Sequence, residues 1–151
     1  METKENAVEV LNDLVEINND RIAGYERAIE ETEMEDADLK TIFAQMATES
    51  RQYKQALTDL IVSLGATPER GTTASGKIYR AWMDVKATFT GNSRKSILEN
   101  CEFGEDAAQK AYRTALEEDD VPAQIRELLM RQQQALKLSH DKIKMMRDSQ
   151  R

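Results

Sequence analysis

The sequence predicts an all-α protein: four long helices forming two antiparallel hairpins, joined by a long crossover that carries a short helix. Three observations lead there. Apolar residues recur at steps of three and four along four long stretches. Two prolines and six glycines are too few for a turn-rich all-β chain. Only one interval between stretches, Gly65 to about Asn92, is long. The 151 residues suffice for a single domain, and 40% hydrophobic with 32% charged residues allows a core but no membrane span.

The first helix, expected over about 3–32, carries Val8, Leu11, Val15, Asn18, Ile22, Tyr25 and Ile29 along one seam. An acidic corner from Glu33 to Asp38 follows, with Asp36 placed to cap the second helix. That helix, about 36–64, sets Leu39, Phe43, Met46, Ser50, Tyr53, Leu57, Leu60 and Leu64 in line, and Gly65 stops it. The crossover begins as a Thr/Gly/Pro-rich loop. It continues as a short amphipathic helix over about 77–89 through Ile78, Trp82, Val85 and Phe89. Gly91-Asn92-Ser93 then caps a third long helix, about 94–118, with Ile97, Cys101, Gly104-Glu105, Ala108, Tyr112 and Ala115. Asp119 and Asp120 precede Pro122 and open a fourth, about 121–148, through Ile125, Leu128, Gln132, Ala135, Ser139, Ile143 and Met146. Tight turns within each pair and one crossover between the pairs describe the ferritin-like arrangement among four-helix bundles. A weak internal repeat sets Tyr25-Glu-Arg-Ala-Ile29 against Tyr112-Arg-Thr-Ala-Leu116, 87 residues on. A duplicated hairpin and chance similarity of amphipathic helices both explain it.

Each seam is broken near its middle by a polar or small residue: Asn18, Glu49-Ser50, Gly104-Glu105 and Gln132. In antiparallel hairpins these fall at one height, so one polar layer inside the bundle is expected. Such a layer costs stability unless its groups are paired. A di-iron reading needs a Glu from each of two helices and Glu-x-x-His from the other two. Here Glu49 is followed by Gln52 where His is required, and the fourth helix offers Gln132-Gln-Gln-Ala135. The surviving ligands for iron or manganese are at most Glu16, Glu49, Glu102, Glu105 and His140, an incomplete set, so no cofactor is expected. The other reading is a hydrogen-bonded layer that fixes helix register. Glu49 and Glu105 are expected to be the most buried acids, and without a cation one of them should be protonated or paired with a donor such as Arg51 or Asn18.

Other chemistries are excluded more simply. A net charge of −7 speaks against nucleic-acid partners. A lone His140 allows no histidine cluster and no Ser/His/Asp triad; a boundary position on the last helix is expected for it. Cys101 lies on a seam, as a small buried side chain would. Gly71 to Gly76 lacks the Gly-Lys-Ser/Thr ending of a phosphate loop. The polar start, Met1 to Asn6, is no signal peptide, and a cytoplasmic location is expected. Trp82, the only tryptophan, either anchors the crossover to the core or forms a partner surface with Met83 and Phe89.

The segments Arg80-Ala-Trp-Met-Asp-Val-Lys86, Leu98-Glu-Asn-Cys-Glu-Phe-Gly-Glu-Asp106, Ala111-Tyr-Arg113 and His140-Asp141 resemble a bacterial family of ferritin-like four-helix-bundle proteins of unknown function. The resemblance runs from about Val8 to Asp148. It implies a ferritin-like bundle and assigns no catalytic residues. The family pattern has Glu where this chain has Ala135, which further weakens a metal reading. The combined expectation is a non-enzymatic bundle, an interaction or stress-related protein that forms a homo-oligomer. The alternative is a metal-binding protein using the mid-bundle carboxylates.

Overall fold

The computed structural model describes residues 2–67, 93–118 and 121–149, with side chains from Asn6 onward. Four long helices account for most of them: α1 (Glu2–Glu31), α2 (Ala37–Ser63), α3 (Arg94–Leu116) and α4 (Ala123–Asp148). No strand occurs among the described residues. At 1.5 Å per residue, α1 is about 45 Å long. The expected crossover helix over 77–89, with Trp82, Met83 and Phe89, lies outside the described residues, as does the loop from Gly71 to Gly76.

The helix ends follow local chemistry. Ser93 caps α3, its hydroxyl accepting from the Ser96 amide at 3.1 Å. Gly65 closes α2 with a φ of 81°, a left-handed conformation that glycine adopts without a Cβ clash. Bonds from Ala66 N to Ile61 O and from Gly65 N to Val62 O complete a Schellman stop. Asp36 precedes α2 but makes no side-chain cap bond. Its carboxylate instead accepts from Arg94 at 3.0 Å, and Arg94 also grips both oxygens of Asp38. Arg94 holds the Asp38 carboxyl below the usual aspartate range. The expected cap is therefore a clamp between two helix starts. α3 closes at Leu116 rather than 118, and α4 begins at Ala123 because the backbone at Pro122 is still extended.

That clamp also reports topology. The start of α3 sits beside the start of α2, so these helices run the same way. Bonds from Tyr25 to Glu105 and from Asn18 to Tyr112 show α1 antiparallel to α3. α1 packs chiefly on α2, α3 on α4, and α1 on α3, while α2 and α4 touch only lightly. Parallel α2 and α3 cannot be joined by a tight turn, which explains the one long connection.

The core is divided. One apolar cluster joins Leu11, Leu14, Ile17, Leu57, Ile61, Tyr112, Ile125 and Leu129. The other joins Tyr25, Phe43, Met46, Ile97, Leu98 and Ile143. Between them lie Asn18, Arg21, Ser50, Glu105, Gln132 and Ser139, all buried and polar.

Candidate functional site

The polar layer is organised by a residue that the sequence pattern did not single out. Arg21 of α1 has no solvent exposure and is one of the largest fully buried side chains among the described residues. Its Nε donates to Glu105 Oε1 at 2.7 Å. Nη1 donates to Met46 O at 3.1 Å and Ser50 Oγ at 2.9 Å. Nη2 reaches Met46 Sδ at 3.5 Å and Glu49 Oε1 at 3.4 Å. These contacts use the full donor set of a guanidinium. The Tyr25 ring lies 5.2 Å from the Arg21 Cζ, and the Tyr25 hydroxyl donates to the same Glu105 oxygen at 2.6 Å. Burial opposes a charge on Arg21, but Glu105, Tyr25 and Glu49 together outweigh it, so the guanidinium holds its proton more tightly than a free one. Burial, then Glu105, pushes the Tyr25 hydroxyl up.

A neutral chain of bonds adjoins this pair. Asn18 donates to Leu14 O and to the Tyr112 hydroxyl, both at 2.9 Å. Tyr112 donates to Gln132 Oε1 at 2.6 Å, and Gln132 Nε2 donates to Tyr53 O at 3.3 Å. The offset of 87 residues that relates Tyr25 to Tyr112 also relates Asn18 to Glu105. Each tyrosine meets the layer residue of the opposite hairpin, so the two links are reciprocal. Within the layer, Asn18 Oδ1 and Glu105 Oε2 are buried without a hydrogen-bond partner among the described residues.

The residues expected to ligate metal do not gather at one point. Glu105 is fully buried against Arg21. Glu49 reaches Arg21 and accepts from Ser139 at 2.9 Å, but its side chain is 37% exposed. An open groove on α2, lined by Thr41, Gln45, Thr48, Glu49 and Gln52, brings solvent to it. Glu49 is thus not among the most buried acids, whereas Glu16 and Asp20 are. Nor do Arg51 and Asn18 hold Glu105: Arg51 pairs with Glu26 on the surface. Arg21 was hidden because the apolar seam steps from Asn18 to Ile22. The heptad-spaced row Leu14, Asn18, Arg21, Tyr25 and Ala28 is the fully buried one, and its charge disguised it. Cys101 is buried, and desolvation followed by Glu105 pushes its thiol up, which leaves no thiolate for chemistry.

Glu102 and His140 belong to a separate place, the outer face where α3 meets α4. There Glu102, Asp106 and His140 bring one ligand atom each within 4.8 Å of one another. His140 Nε2 contacts Asp106 Oδ1 and lies 3.9 Å from Glu102 Oε1, while Nδ1 meets Asp141 Oδ1 at 3.1 Å. Arg147 Nη1 holds Glu102 Oε2 at 2.9 Å. Partial burial works against charge on His140, but hydrogen bonds to Asp141 and Asp106 prevail and raise its pKa. Burial, then Asp106, raises that of Glu102.

A di-iron centre does not fit the layer. Glu105, the carboxylate at its centre, already carries a permanent cation at bonding distance. A divalent ion placed there would face the guanidinium at close range in a low-dielectric interior.

The chain's arrangement is shared by proteins of known structure. A Mycobacterium smegmatis Dps1 point mutant matches with a TM-score of 0.86 at 14% identity, over 97% of each chain. A dodecameric thioferritin, the bacterioferritin-related protein of Bacteroides fragilis, matches at 0.76 and 15% identity, over 95% of this chain and 84% of that one. At such identities the likeness concerns the fold, which is ferritin-like. Among curated proteins none matches the sequence. The profile of a domain of unknown function, DUF2383, spans residues 6–118, three quarters of the sequence, and the chain belongs to that family.

Proposed function

We propose that this protein is a non-enzymatic ferritin-like bundle, a cytoplasmic interaction or stress-related protein that assembles with copies of itself. The observation that carries the reading is Arg21. A guanidinium with no exposure, bonded to Glu105 at 2.7 Å, places a fixed positive charge of the chain's own on the carboxylate that a metal pair would need. Assembly is supported by α4, where Met130, Leu138 and Met145 are exposed on one outward stripe opposite the buried Leu129, Leu136 and Ile143. A structural relative is described as dodecameric. Trp82, Met83 and Phe89 are the further residues proposed to meet a partner.

The test has two arms. Protein purified without chelator and offered ferrous or manganous ions is expected to take up none that depends on Glu105. Stoichiometric iron or manganese lost in Glu105→Gln would overturn the non-metal reading of the layer. Light scattering is expected to show a multiple of 17.2 kDa, reduced by Leu138→Glu. A clean monomer at high concentration would remove the assembly.

A further inference from the structure

The side-chain cluster where α3 meets α4 has the construction of a metal site rather than of a plain ion-pair cluster. We propose that Glu102, Asp106 and His140 form a mononuclear site for a divalent transition-metal ion of the zinc class, separate from the mid-bundle layer.

Three features carry this. The donors are an imidazole nitrogen and two carboxylate oxygens, converging from two helices. Glu102 and Asp106 stand four residues apart and so share a face of α3, which α4 meets with His140. That donor set suits zinc, cobalt or nickel and is a poor match for calcium, which takes oxygen ligands.

Each inner ligand is also oriented from behind. Asp141 takes His140 Nδ1 at 3.1 Å, which turns Nε2 toward the two carboxylates. Arg147 takes Glu102 Oε2 at 2.9 Å and leaves Oε1 facing the imidazole. A carboxylate behind a histidine and a donor behind a ligating carboxylate are the supports that metal ligands carry. Zinc bonds of about 2.0–2.2 Å set neighbouring donors roughly 3.4 Å apart. The 3.9 Å between His140 Nε2 and Glu102 Oε1 needs only a small rotamer change to reach that spacing. The ion would take the place of the direct contact now made between His140 Nε2 and Asp106 Oδ1.

Charge and access agree. Arg147 is shared with Asp148 and faces Glu99, and Lys137 is engaged by Asp141, so the cluster stays net negative around a neutral imidazole. Glu102 and His140 are the floor, with side chains 14% and 15% exposed, while Asp106 at 57% leaves the face open to an entering ion and to a water ligand.

The experiment is titration of the full-length, metal-stripped protein with Zn2+ alone by calorimetry, and with Co2+ alone by visible absorption. One equivalent of zinc is expected, with cobalt bands of a low-symmetry nitrogen–oxygen site. His140→Gln and Asp106→Asn should each weaken zinc at least about tenfold, and Asp141→Asn about 10- to 100-fold, as outer-shell partners do. Zinc should raise the Tm of the parent but not of His140→Gln. Glu49→Gln, in the other cluster, should leave the titration unchanged. Absence of saturable zinc uptake overturns the site. So does uptake indifferent to His140→Gln and Asp106→Asn in variants that keep the parent's helical circular dichroism.

Discussion

Two clusters of acids in one bundle meet positive charge in opposite ways. In the central layer, Glu105 is fully buried and its counter-charge, Arg21, is fixed by the chain. On the outer face where α3 meets α4, Arg147 holds one oxygen of Glu102, and Glu102 and Asp106 also gather round His140, whose charge depends on a proton. Buried acids need a permanent partner, because an uncompensated charge in the interior is too costly. A half-exposed acid such as Asp106 can make do with an exchangeable one, since water screens what the protein leaves unpaired. Residue type alone does not separate these roles; depth does.

The contrast breaks most sharply at Arg21. Arg21→Ala leaves the Glu105 carboxylate buried without its cation, and a loss of about 3–5 kcal/mol is expected. Urea denaturation followed by circular dichroism reads it. The paired replacement Arg21→Met with Glu105→Leu should recover most of that loss, because both charges leave together. If the double variant is no better than Arg21→Ala, the pair is not the source of the cost. Next in size is Tyr112→Phe, which strips partners from both Asn18 and Gln132 and should cost about 1–2 kcal/mol, again by urea midpoint.

Smaller effects sharpen the surface side. Burial, followed by Glu9, raises the Asp13 carboxyl to about 6 from 3.8. The folded state therefore holds a proton that the unfolded chain gives up. Stability from this group is present at low pH and falls as pH rises from about 4 through 6. Asp13→Asn should add about 0.5–1 kcal/mol at pH 7 after allowance for solvent screening, and nothing near pH 3. His140 works with the opposite cause and a higher window. Its folded pKa is raised above 6.5, so its contribution is complete below that value and disappears as pH climbs past the folded one. His140→Gln should lower Tm slightly at pH 6 and leave it unchanged at pH 9. A penalty that persists at pH 9 would mean packing, not charge.

The fold was legible because it rests on periodicity. Apolar steps of three and four, Ser93 as a cap and Gly65 as a stop are local signals, and the structure uses each of them. The polar layer was legible too, since Asn18, Ser50, Glu105 and Gln132 interrupt the seams and lie buried together. Its centre was not. A charged residue in a helix reads as surface, and Arg21 is distinguished only by burial contributed from α2 and α3, distant in sequence. The separation of Glu102 and His140 from Glu105 was also out of reach. Glu102 and Glu105 are three residues apart, and a small rotation of α3 decides which of them points inward. Asp106 joins His140 through the register between α3 and α4, which no single helix pattern encodes. Asp36 was misjudged for a related reason: Arg94, on another helix, outcompetes the amide it was expected to cap.

The reciprocal tyrosine links have one further result. Shifting Arg21 by the same 87 positions reaches Ala108, a small buried residue in the opposite hairpin. The bundle is thus nearly two-fold in its tyrosines but carries a single buried guanidinium among the described residues. If two copies of the α1–α2 hairpin joined each other, two arginines would meet across the axis with no Glu105 between them. Like charges at that depth would drive such a pairing apart, so the lone arginine selects the unlike hairpin and keeps each chain closed on itself.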